Sequence, residues 1–156
     1  MIPRLLNKIF NSKKKTRVVH FTECRHEKVC NGKTYVMFEG RYNYTQAAEL
    51  CDAEQGTLAM VDNDTDTFTC LYNIYDVYRN QGGDILGAFV DGSKGIMNQQ
   101  SRSEWWCTST QSECRQSIAW QPGQPDNQHC ASILRWYSQG VGDVECGVKQ
   151  MAMCQV

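Results

Sequence analysis

The sequence has little of what several protein classes require. It holds three histidines, His20, His26 and His129, and they are scattered. The nearest cysteine neighbours are Cys24/Cys30 and Cys107/Cys114, so the close Cys pairs of a structural zinc site are missing. No stretch approaches the ~20 apolar residues that a membrane-spanning helix needs. Prolines number three. Acid is absent from the first twenty residues, which hold six basic residues (Arg4, Lys8, Lys13, Lys14, Lys15, Arg17). The rest of the chain carries ten basic against seventeen acidic residues, a net of −7. Such an acidic body excludes nucleic acid as a natural partner, because affinity for phosphate backbones comes mainly from Lys and Arg.

What the chain does have is cysteine. There are nine, at 24, 30, 51, 70, 107, 114, 130, 146 and 154. With no metal pattern, that density implies a disulfide framework made in an oxidising compartment, hence a secreted or extracellular domain. Nine is odd, so one thiol is left over or pairs with another chain, giving an oligomer. The 156 residues suit one domain of about 100–150 residues. Residues 1–29 form a basic N-terminal tail without the apolar stretch of a signal peptide. The domain runs from 30 to 156.

Within it the local signals are regular. Thr34–Phe38 alternates and is rich in strand formers. Asn43 is an N-cap with Gln46 three residues on, opening a helix over Tyr44–Gln55 that buries Ala47, Leu50 and Cys51 and ends at Gly56. Thr57–Val61 is a short strand. A second helix spans Thr65–Tyr78, with Phe68, Leu71, Tyr72 and Tyr75 at helical spacing, and Gln81-Gly82-Gly83 stops it. Ile85–Val90 is a strand ending at the turn signal Asp91-Gly92. Residues 93–104 are polar and begin a region of loop and short strand, Cys107 to Cys114 reads as a hairpin, and Pro122-Gly123 and Pro125 as irregular chain. Ala131–Tyr137 and Val148–Val156 are closing strands. Two helices followed by a long loop region and hairpins make an α+β fold, with helices packed on small, mostly antiparallel sheets.

Four pieces in order carry a family resemblance: Ala47-Ala48-Glu49-Leu50-Cys51 with Gly56-Thr57-Leu58-Ala59; Leu86-Gly87-Ala88-Phe89-Val90-Asp91-Gly92; Trp120-Gln121-Pro122-Gly123-Gln124-Pro125-Asp126-Asn127; and Cys130, Cys146 and Cys154. Over roughly four-fifths of its length the chain resembles a C-type lectin-like domain. The resemblance implies bridges Cys51–Cys154 and Cys130–Cys146, with Cys107–Cys114 as a third inside its hairpin. Cys30 then pairs with Cys24 or with Cys70.

The resemblance also implies a site. Sugar-binding members hold Ca²⁺ at the long loop through a Glu-Pro-Asn or Gln-Pro-Asp triplet, a later Glu and a Trp-Asn-Asp triplet. Here the first is Gln124-Pro125-Asp126, the version associated with galactose and N-acetylgalactosamine. An amide donates and accepts while a carboxylate only accepts, so the order of the two sets which hydroxyl pair is preferred. The Glu position is Gln128, and the last triplet reads Val141-Gly142-Asp143. The expected ligands of a weak Ca²⁺ site are therefore Gln124, Asp126, Gln128 and Asp143, with only two carboxylates among them. Gln124, Asp126 and Asp143 would contact sugar, with Trp136 as a stacking residue. Trp105, Trp106 and Trp120 are assigned to the core.

The implied function is Ca²⁺-assisted recognition of galactose-type glycans or glycoproteins, in innate immune recognition. The alternative is a calcium-independent protein-binding module of the same fold. An enzyme is not expected: His129 sits beside Cys130, but that cysteine belongs to a bridge, and no nucleophile–base–orienter set is present.

Overall fold

The computed structural model describes residues 25–63, 65–79, 85–95 and 102–156. The tail up to Cys24, the Gln81-Gly82-Gly83 stop and residues 96–101 lie outside them.

Strand β1 (Arg25–Cys30) and β2 (Lys33–Tyr42) form an antiparallel hairpin in which Cys30 faces Lys33. Asn31 and Gly32 make the turn at φ 52° and 78°. Two successive positive φ values define the tight turn whose twist matches paired strands, and Asn-Gly is its favoured sequence. This ladder includes Arg25 to Val29, which precede the expected domain start at residue 30. The middle of β1, Glu27 to Val29, is exposed and so lacks the apolar pattern that would reveal a strand.

Helix α1 (Tyr44–Ala53) starts at the expected capping box. Gln46 N–H donates to Asn43 Oδ1 at 2.8 Å, and Asn43 N–H donates to Gln46 Oε1 at 2.9 Å. Its end differs from expectation. Gln55, at φ 66°, takes the left-handed position, and Gly56 N–H returns to the Cys51 carbonyl at 3.0 Å. Gly56 is required for another reason: a Cβ there would lie 2.0 Å from the Gln155 carbonyl oxygen. Helix α2 spans Thr65–Tyr78, as the spacing indicates.

The other strands are β3 (Thr57–Leu58), β4 (Gly87–Gly95), β5 (Arg102–Cys107), β6 (Ser112–Glu113), β7 (Cys130–Leu134), β8 (Gly142–Val144) and β9 (Gln150–Gln155). The hydrogen-bonded path runs β1-β2-β9-β4-β5-β6, with β3 on β9, and with β7 on β4 and β8. β4 and β9 are parallel; the other strand pairs are antiparallel. β4 does not end at Asp91-Gly92. Its register shifts there, with Gly92 at φ 135°, and the strand continues to pair Gly95 with Arg102. The dipeptide is a bulge and not a turn, and of the polar run the described residues 93–95 and 102–104 are strand.

The central strands are buried on both faces. Tyr35 and Met37, Ala88 and Val90, Met151 and Met153 face the cluster holding Phe68, Leu71 and Tyr75 of α2. Val36 and Phe38, Phe89, Ala152 and Cys154 face the cluster holding Tyr44, Ala47 and Cys51 of α1. Adjacent residues split between the two clusters because strand side chains alternate. The helices thus cover opposite faces, and β2 reads as a continuous apolar run. Trp105 is buried, Trp120 packs edge-on against it at 4.9 Å, and Trp106 is half-buried.

Four disulfides staple the domain: Cys51–Cys154, Cys130–Cys146 and Cys107–Cys114, together with Cys30–Cys70. The last resolves the open choice for Cys30 and ties the β1–β2 hairpin to α2. Cys24 lies outside the described residues.

Candidate functional site

The long loop between Ile118 and Cys130 is irregular, yet its backbone is tied at several points. Ala119 N–H donates to Val61, Val141 N–H to Ala119, and Gln121 N–H to Val141, all at 2.8–2.9 Å. Gln139 N–H donates to Gln121 Oε1 at 3.0 Å. These bonds lay the loop along the chain entering β8. The Gln124–Pro125 peptide is cis.

Asp143, on β8 opposite Ala131, stands at the centre of the loop's hydrogen bonding. It is buried, and its carboxylate faces three consecutive backbone amides. Asp126 N–H lies 3.2 Å from both oxygens, and Asn127 and Gln128 N–H donate to Oδ2 at 3.1 and 2.6 Å. Successive N–H groups forming a concavity make a binding nest for an anion, and here the chain's own carboxylate fills it. Charge-assisted bonds of this kind are about twice as strong as neutral ones. In return, Asp143 N–H donates to Gln124 Oε1 at 3.3 Å. Asp126 is exposed and its Oδ1 accepts Asn127 N–H at 2.7 Å.

The fold therefore brings Gln124, Asp126, Gln128 and Asp143 together, but in particular roles. Gln128 meets Asp143 through its backbone amide. Asp143 accepts where a calcium ligand would have to coordinate. Gly142, where the resemblance expects Asn, has no room for one: a Cβ would lie 2.5 Å from the Tyr137 ring. Donor N–H groups aimed at Asp143 oppose a cation beside it, and Asp126 is the one remaining carboxylate of the set. As arranged, these residues do not fit a resident calcium ion, which wants six to eight oxygens. Among the described residues, no group of three or more His, Cys, Asp or Glu side chains is gathered for a metal.

Strand β7 ends at Leu134, short of the expected Tyr137, and the turn that follows, closed by Tyr137 N–H donating to the Leu134 carbonyl at 3.0 Å, separates Trp136 from Tyr137. Tyr137 turns in over Gly142, and Trp136 is 66% exposed, with the Arg135 guanidinium 5.3 Å from its ring centre.

The sequence marks Asp91 only as part of a turn. It is buried at the β4 bulge, accepting Thr108 and Ser109 N–H at 3.1 and 2.7 Å, and so anchors the turn between β5 and β6. Burial pushes its carboxyl above the ordinary range, against the opposing pull of those hydrogen bonds. Burial likewise raises the Tyr44 phenol, whose oxygen accepts Gly92 N–H at 3.3 Å. An acid followed by glycine inside an apolar run is the available signal for this anchor.

No family model matches the sequence, and no curated protein does. Solved structures do match. The carbohydrate-recognition domain of cow CD23, crystallised in the presence of a GlcNAc2Man3 oligosaccharide, is 18% identical at a TM-score of 0.60, covering 86% of this chain and 93% of that one. The calcium-independent C-type lectin SPL-2 from Saxidomus purpuratus is 16% identical at 0.65, covering 83% and 90%. A calcium-independent type II antifreeze protein is 13% identical at 0.63, with the same coverage. The fold is that of the C-type lectin-like domains, disulfide-stapled and α+β. Two of these neighbours are named as a carbohydrate-recognition domain and a lectin, and the third as an antifreeze protein. Among the described residues, no helix is long and apolar enough to cross a membrane.

Proposed function

We propose that this chain is an extracellular glycan-binding domain that recognises galactose-type sugars at Gln124-Pro125-Asp126 without a resident calcium ion. The observation that carries this reading is the seating of Asp143 in the amide nest of residues 126–128. It gives the loop its shape by an internal anion, so no cation is needed to order it. The Gln124 amide N–H groups and the second Asp126 carboxylate oxygen remain for a ligand. A donor and an acceptor across one proline suit a pair of neighbouring sugar hydroxyls, each able to donate and accept. That a protein of similar fold, SPL-2, is named as a calcium-independent lectin supports the reading.

A second reading is a protein-binding module. It rests on Trp136, exposed and flanked by Arg135. Trp and Arg are enriched among residues that dominate interface energies.

A glycan array run in calcium and again in chelator tests both. Galactoside binding equal in the two conditions is expected. Binding lost in chelator would restore the calcium-assisted mechanism, and no glycan binding in either would favour the protein-binding reading.

A further inference from the structure

Beside the Gln124-Pro125-Asp126 loop lies a groove of about 300 Å³. That is the low end for a ligand cavity and admits one small ring. Its far wall is built by strands the sugar-binding reading does not use. Lys94 comes from β4, Glu104 from β5, Glu113 from β6 and Arg115 from just beyond; Trp105 lines it and Asp126 closes the near side.

The charges in this groove are mixed in sign and lie at exposed or half-buried positions. Two cations and three carboxylates share it, yet none of Lys94, Glu104, Glu113 and Arg115 forms an ion pair with another of them. The Lys94 ammonium instead lies 5.9 Å from the Trp105 ring centre, within cation–π range. The Arg115 backbone N–H uses one Glu113 oxygen at 3.3 Å. The remaining donors and acceptors of both signs therefore face the groove uncommitted to one another. A ligand that satisfies both at once must itself carry donors and acceptors densely, which describes a polyhydroxylated ring. An anionic ring would meet a net charge of −1 and gain nothing from its own charge.

We infer that this groove is a second sugar subsite, taking the ring next to the one held at Gln124 and Asp126, and that its ligand is a neutral oligosaccharide. Glu104 and Glu113 accept hydrogen bonds from hydroxyls, and Lys94 and Arg115 donate to ring and hydroxyl oxygens. Asp126 borders both subsites and joins them. The inference rests on the glycan-binding reading above.

The test is calorimetry of the whole chain with galactose, with the neutral disaccharides lactose and melibiose, and with sialyllactose. At least one disaccharide should bind about tenfold more tightly than galactose, the worth of one or two hydrogen bonds to charged groups. Glu113→Gln and Arg115→Ala, both at exposed positions, should each remove most of that gain while leaving galactose affinity unchanged. Sialyllactose should not exceed lactose. Galactose binding with no disaccharide gain would overturn the subsite and leave the primary site standing. So would a gain that both variants retain. Sialyllactose binding about tenfold above lactose would overturn the neutral class. No binding of any of the four sugars would overturn the subsite and the sugar-binding reading together. Thermal melts of the two variants, and the parent's own galactose-to-disaccharide ratio, keep the test decisive if one variant folds poorly.

Discussion

Asp143 Oδ2 accepts the backbone N–H of Gln128 at 2.6 Å, and the same carboxylate collects the amides of Asp126 and Asn127. An acid expected to hold a metal instead holds the loop. Removing it should act on loop order before it acts on any ion. Asp143→Ala should cost about 1–3 kcal/mol, the range for orphaning a buried polar group or losing a charged acceptor. Amide exchange at 126–128 should quicken by about 5- to 150-fold, the same free energy written as a ratio. Unchanged melting together with unchanged exchange would remove the anchor role.

The swap Gln124→Glu with Asp126→Asn tests sugar specificity. The internal bonds survive it, because Glu still offers an oxygen to Asp143 N–H and Asn still offers one to Asn127 N–H. What reverses is the donor–acceptor polarity shown to the ligand. Preference should shift from galactose toward mannose. The shift should be partial, since nothing in the swap is built to repel galactose. Inhibition by the two free sugars, before and after, decides it; an unchanged ratio places the sugar elsewhere.

The bridges should rank by the loop each closes. Their cysteines are 103, 40 and 7 residues apart for Cys51–Cys154, Cys30–Cys70 and Cys107–Cys114. Chain entropy gives about 4.7, 4 and 2.5 kcal/mol, a model-dependent ordering. Paired Ser substitutions followed by denaturant melts should reproduce that order, and the same melting curve with and without strong reductant would contradict the framework as a whole.

Asp91 sets a pH dependence. Its folded pKa is raised by burial, so the native state keeps this proton to higher pH than the unfolded chain does. Native stability from this group is greatest below the unfolded value and declines as pH rises to the folded one. Relative to Asp91→Asn, the parent should therefore lose melting temperature as pH climbs through and above the ordinary carboxylate range, then level off. A difference that widens in the parent's favour over that span would refute the assignment.

Most of the scaffold is legible in residues that act locally. Asn43 and Gln46 cap α1 through their own side chains, and Phe68, Leu71 and Tyr75 mark α2 by spacing alone. Strand β1 is legible only through Asn31-Gly32, because its exposed middle shows no face. Gly56 and Gly142 are only half legible, for one reason. Their need comes from what approaches them, Gln155 and Tyr137, from distant parts of the chain. The site shows the same limit: the triplet identifies which side chains meet, while the direction in which Asp143 turns depends on three amides that sequence alone does not place.

The parallel pairing of β4 with β9, flanked by β2 on the other side of β9, has a consequence for biosynthesis. β2 and β4 meet across a strand made about fifty-five residues after β4 ends. During synthesis the sheet stands open along that seam, with its apolar residues on both faces. Cys30 and Cys70 have both emerged well before then, whereas Cys51 must wait for Cys154. Three of the four bridges have both cysteines made before Cys154, so Cys51 alone among the paired cysteines waits for the end of the chain, and an outside thiol-blocking reagent present during folding should trap Cys51 first.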